Sequence, residues 1–188
     1  MNNMTLRPID LPAAARAAAP TRALQFANFA LFQLAWFGCV LGAAHGMPLW
    51  GTACVVAAIG WHLAVSARPA AEARLAACAL AIGAAFETAM LATGGIRYPA
   101  DGQPIAALPP YWLVAMWGLL AITLNVTLRW LRPHLLLAAP LGALAGPLSF
   151  AAGARLGAAR VVEPQTTYAL LALARRCDGV TREAAPTP

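Results

Sequence analysis

The chain is built from long apolar runs separated by short polar breaks. Runs free of Asp, Glu and Arg, or nearly so, fall at 23–44, 47–67, 75–96, 111–130 and 134–154. The third contains one acid, Glu87, and the fourth carries Arg129 near its end. A hydrocarbon core about 30 Å thick takes about 20 helical residues to cross, so each run has the length of a membrane-spanning helix. The runs are too continuous for the roughly ten-residue alternating strands of a closed barrel. In lipid, where water cannot pair the backbone, helices are the remaining choice. The predicted fold is an all-α, polytopic transmembrane bundle of five spans. A sixth segment, 161–177, has only a short clean apolar stretch between Glu163-Pro164 and Arg175-Arg176. It either crosses the membrane or lies at its surface.

Composition agrees with this threading. Of 188 residues, 61% are hydrophobic and 11% charged, far from the roughly 45–50% and 25% of a soluble domain. That little charge does not cover a soluble surface. The net charge is +6, but the basic residues are spread between apolar runs. They are topology signals and contacts for anionic lipid, not a nucleic-acid face. All 13 are arginine, which with the abundant alanine points to a GC-rich bacterial genome and so to a bacterial inner membrane. Arg7, Arg16, Arg22, Arg68, Arg74, Arg129 and Arg132 fall on one side, against Arg97, Arg155 and Arg160 on the other. The positive-inside rule therefore places the N-terminal tail, 1–22, in the cytoplasm. The first run holds Asn28 and Gln33 and exceeds a signal-peptide core, so it reads as a retained helix. Residues 97–110, rich in proline, form the longest loop, on the outer side, and 178–188 form a polar C-terminal tail.

Chemistry-bearing residues are few. Glu87 is the one acid inside the five spans. A carboxylate in lipid is costly unless paired, protonated or wet, so it is a site candidate by default. It falls on the outer side of the middle of its helix, where Arg155 at the outer end of the fifth span is the expected partner. Asn28, Gln33, His62 and Asn125 all fall in the inner half of the membrane. Asn28, His62 and Asn125 share a depth about 7–10 Å inside the midplane, with Thr123 and Thr127 beside Asn125. They predict either an interhelical hydrogen-bond network or a polar cavity open to the cytoplasm. The cysteines Cys39, Cys54, Cys78 and Cys177 show no C-x-x-C spacing, and His62 has no ligand partners at metal spacing. No metal or cofactor is expected. Glycines four apart (Gly38, Gly42, Gly46; Gly142, Gly146) predict close helix packing or self-association.

Several fragments occur in a recognisable order. Asn28-Phe29 precedes Phe32-Gln33 and Trp36, and then comes Cys39–His45. Pro110 with Trp112 follows, then Thr123-Leu124-Asn125 before Leu128-Arg129-Trp130-Leu131. Gly146-Pro147 and Gly153–Ala158 complete the set. Over about residues 26–160 this resembles a family of small bacterial inner-membrane proteins catalogued only as a domain of unknown function. The resemblance implies a multi-helix inner-membrane protein with no assigned activity and an association with lipid modification. Ala154 departs from an acid usual in that family, and 161–177 is shorter and less apolar than the family's last helix.

Three functions follow, in order of expectation. The first is a non-enzymatic membrane component or accessory subunit, lipid-related, with membrane lipids and a protein partner or second copy as companions. The second is a small transporter or proton-coupled carrier using Glu87, His62 and Asn125. The third is a membrane-embedded lipid-modifying enzyme, for which Glu87 and His62, on opposite sides of the midplane, are badly placed to share a proton.

Overall fold

The computed structural model describes residues 20–162 and Ala169. The expected sixth span, 161–177, and both expected tails lie almost wholly outside the described residues. Among the described residues five α-helices form: α1 Arg22–Ala44, α2 Pro48–Val65, α3 Pro69–Ala92, α4 Tyr111–Leu124 and α5 Leu135–Arg155. Four of them, all but α4, are long and apolar enough to cross a membrane.

Local chemistry sets the ends. Thr21 caps α1, its hydroxyl accepting the Leu24 N–H at 3.2 Å. Pro48 and Pro69 open α2 and α3 at a position where no amide donor is needed. The expected third span, 75–96, is therefore shifted: α3 starts six residues earlier and takes Glu72 into its first turn. An acid there is favoured by the helix dipole, which a search for charge-free runs overlooks. Gly94, with φ of 72°, turns the chain out of α3. The fourth span, expected over 111–130, is a helix only to Leu124. Turns follow, with the Leu128 N–H reaching Thr123 O at 2.8 Å, and then a 3-10 turn over Arg129–Leu131. Thr123 bonds the Leu120 carbonyl through its hydroxyl, and Asn125 turns its amide to another helix. Such side-chain bonds compete with the regular ladder.

One feature was not expected in an all-helical chain. Ile96–Arg97 (β1) and Arg160–Val161 (β2) pair antiparallel, Ile96 with Val161 and Arg97 with Arg160. This two-residue ladder ties the α3–α4 connection to the chain leaving α5, so both lie at the same end.

Helices α1 to α4 form the packed unit. α1 lies chiefly on α2 and α3 on α4, and α4 also touches α1 and α2. Cys39, Val40, Val55, Ala58, Leu119 and Ile122 are among the buried core. The α1–α2 contact is close enough to need glycine. A Cβ on Gly51 would stand 2.5 Å from Cys39 Cα and 2.9 Å from the Gly38 carbonyl. α5 is different. Only 6% of its apolar window is buried, against 22–28% in α1–α3, and Leu136, Leu144 and Leu148 are 93%, 63% and 67% exposed. Its small side chains stand off from the bundle and leave a cleft.

The contrast between tight and open glycines is testable. Gly51→Ala should lower stability in detergent by about 1–3 kcal/mol, because backbone on the facing helix must move. Gly142→Ala, with nothing within 4 Å of its would-be Cβ, should leave the melting temperature unchanged or slightly raised. Thermal unfolding of both variants checks the pair.

Candidate functional site

Two polar sites lie on one face of α3. Glu72, Ala76, Gly83, Glu87 and Met90 recur at helical spacing, and all but Glu72 are fully buried. Glu72 and Glu87 are 15 residues apart, about 22 Å along the axis.

The first site, at the Glu72 end, links four helices. Thr127 donates its hydroxyl to Asn28 Oδ1 at 2.8 Å. The Asn28 amide donates to the Ile122 carbonyl at 3.3 Å and approaches His62 Nδ1 at 3.4 Å. His62 Nε2 meets Glu72 Oε2 at 3.3 Å, and Asn125 Nδ2 donates to Glu72 Oε1 at 2.9 Å. The polarity is consistent throughout. The imidazole accepts at Nδ1 and donates at Nε2, and both carboxylate oxygens accept. Asn28 and His62 are 0% and 3% exposed. The expected grouping of Asn28, His62 and Asn125 is present, and Thr127 joins it. Thr123 is buried but bonds its own helix. Glu72, the residue that closes the network, was missed because it lies outside the charge-free run. Its signal was an acid three residues after a helix-opening proline.

The second site surrounds Glu87. Its Oε1 accepts the indole N–H of Trp117 at 3.0 Å. This bond depends on Gly83, one turn earlier on α3, where any Cβ would overlap the Trp117 ring. The expected ion pair to Arg155 does not form: Arg155 ends α5 with its side chain exposed. Gln33 makes no hydrogen bond to Asn28 or His62 among the described residues and instead belongs to the lining of the cleft that also contains Glu87.

That cleft has a volume of about 380 Å³, within the usual range for a small-molecule site. One wall is aromatic, with Phe32 and Trp36 from α1 and Trp112 and Trp117 from α4. The other is the small-residue face of α5, including Ala145, Gly146, Ser149 and Gly153. Tyr98, just after β1, closes one end. Its ring stands edge-on to Trp112 and Phe150, with centroids 6.1 and 6.4 Å away. Its hydroxyl is buried without a hydrogen-bond partner among the described residues. Burial, and after it the nearby Glu87, pushes the phenol above its ordinary range, so it remains a donor. Tyr98 was legible in sequence only as part of a proline-rich loop. The ladder that carries it to the cleft is a long-range pairing.

With this geometry in view, the comparison with known families is informative. The family model described as "Protein of unknown function (DUF2878)" matches residues 25–174. The chain belongs to this family. No curated protein and no solved structure matches it. The match spans both polar sites, α2 to α5 and all of α1 but its first three residues.

The inner network predicts a specific rescue. Glu72→Gln places an amide donor against a donor and should cost about 1–3 kcal/mol of stability. Adding Asn125→Asp restores an acceptor on the other side and should recover part of the loss, a coupling of about 0.5–3 kcal/mol. Unfolding of the two single variants and the double variant in one detergent measures it. Strict additivity would exclude the bonded chain described above.

Proposed function

We propose that this protein is a non-enzymatic component of a bacterial inner membrane that holds a lipid-like amphiphile in the cleft between α5 and the α1–α4 bundle. The observation that carries this reading is the cleft itself. It joins an aromatic wall, a wall of small residues and a polar end at Glu87 and Tyr98. Its α1 lining, Phe32, Gln33, Trp36 and Val40, spans eight helical steps, about 12 Å. An alkyl chain fits such a slot, and the polar end suits a head group. The threading supports the same reading. With the N terminus cytoplasmic, Glu87 and Tyr98 face the outer leaflet, and the chain end of a ligand points toward the midplane.

A carrier that uses Glu87, His62 and Asn125 together is less well supported. His62 and Asn125 share Glu72, about 22 Å along α3 from Glu87. The same separation speaks against Glu87 and His62 as an acid–base pair.

Two experiments test the reading. A periplasm-active reporter fused after Val65, between α2 and α3, should be silent, and one fused after Gly102 should be active. The reverse pattern contradicts the threading. Mild extraction followed by intact-complex mass analysis should find amphiphile bound at about one per chain. Gly146→Phe, which fills the cleft from the loosely packed α5, should reduce that occupancy at least about fivefold, equivalent to about 1 kcal/mol. Unchanged occupancy in the filled variant would remove the cleft from the account, and a stoichiometric protein companion would add a partner to it.

A further inference from the structure

The end of the bundle where α1 begins, cytoplasmic in the proposed threading, carries a groove separate from the cleft. We infer that this groove is a phosphate site, with Arg129 and Arg132 as its two cationic arms.

The groove is lined by Pro20 and Gln25 at the start of α1 and by Arg129, Trp130, Arg132 and Pro133 in the connection from α4 to α5. The early end of α4 places the two arginines. Arg129–Leu131 is a 3-10 turn, and the Arg132 N–H closes it on the Arg129 carbonyl at 3.2 Å. Side chains three apart on such a turn eclipse, so both arginines leave it on the same side. Two like charges held that close repel, and an anion between them relieves the repulsion. Neither arginine has an ion-pair partner among the described residues. Glu72, the acid at this end among the described residues, is held at both oxygens by His62 and Asn125. The groove is also braced from beneath. The Thr127 hydroxyl, which donates to Asn28 Oδ1, stands 3.4 Å from the Gln25 carbonyl. The inner network therefore holds α1 against the segment that bears the arginines. Trp130, between them in sequence, is 57% exposed, as an indole at the level of lipid head groups is. Two guanidinium forks with no carboxylate between them match the oxygens of a phosphate, which each binds bidentately. Basic pockets at the ends of membrane helices take phospholipid heads in this way.

The phosphate arrives either on an anionic lipid or on a soluble molecule, and one series separates these. The full chain in maltoside micelles is mixed with equal amounts of phosphatidylglycerol and phosphatidylcholine at about 0.15 M ionic strength, where distant exposed charges are screened. Intact-complex mass analysis reads what is retained. Phosphatidylglycerol should be retained at least about fivefold over phosphatidylcholine. Arg129→Gln with Arg132→Gln should reduce its retention at least about tenfold. Lipid in the cleft does not touch these arginines, so the share they control belongs to the groove. Arg68→Gln with Arg74→Gln removes the same charge from exposed positions at the same end and should change retention less than about twofold. Inorganic phosphate is then titrated in, its own binding followed by broadening of its phosphorus resonance. Displacement of the lipid, or arginine-dependent binding of phosphate alone, assigns the groove to a soluble phosphate; retention against it assigns the groove to a lipid-borne one. If neither phosphatidylglycerol nor phosphate binds in a way that depends on Arg129 and Arg132, the inference is overturned. An equal loss in the Arg68 and Arg74 pair overturns it too, leaving only a diffuse surface charge. Neither result bears on the cleft. Should the groove pair fail to fold, Arg132→Gln alone, at an exposed position, decides, with a loss of at least about threefold expected.

Discussion

A polar side chain inside a bilayer must find its partners within the protein, and that constraint organises this molecule. The chain from Thr127 through Asn28 and His62 to Glu72 and Asn125 satisfies it with members from every helix of the four-helix unit or its edge. Each donor has an acceptor, and the carboxylate at the end lies in the first turn of α3, where the helix dipole favours it. Leaving any one member unmet would cost about 1–3 kcal/mol, so the network fixes the register of α1 to α4 against one another. The dry core, from Cys39 to Ile122, can then pack around glycine contacts that tolerate no side chain.

α5 lies outside this arrangement. It carries no member of the inner network, has two prolines within its length, and presents a small-residue face to the bundle. It is attached at its ends, through the neighbouring 3-10 turn and through the β1–β2 ladder. Because it does not fill the space beside α1 and α4, a cavity remains there. Glu87 is a further polar group that the same constraint applies to, and it is met by the Trp117 indole at the edge of that cavity. The structural site and the candidate binding site therefore sit on one face of α3 but do different work. One is closed and internally paired; the other borders open space.

The sequence exposed the helices well because length and apolarity are local properties. Run boundaries located α1, α2 and α5 to within two residues. It located α3 and the end of α4 less well, since charge alone marked the limits. Glu72 entered a helix through Pro69, and the Thr123–Asn125 side chains ended one early. Depth counting brought Asn28, His62 and Asn125 together correctly, because depth follows from position along a helix. It did not say which way a side chain faces. Hence Gln33 was grouped with the inner residues, and Glu87 was given Arg155 in place of Trp117. The β1–β2 pairing, and with it the place of Tyr98, depends on contacts between segments more than 60 residues apart and leaves no local trace.

The central claim is that the gap between α5 and the α1–α4 bundle is a ligand site. An experimental density map of the protein in lipid nanodiscs tests it most directly. The account predicts elongated, non-protein density along Phe32 to Val40, ending beside Glu87 and Tyr98, with α5 held off the bundle. A map in which α5 packs flush against Trp112 and Trp117, with no such density, would contradict it.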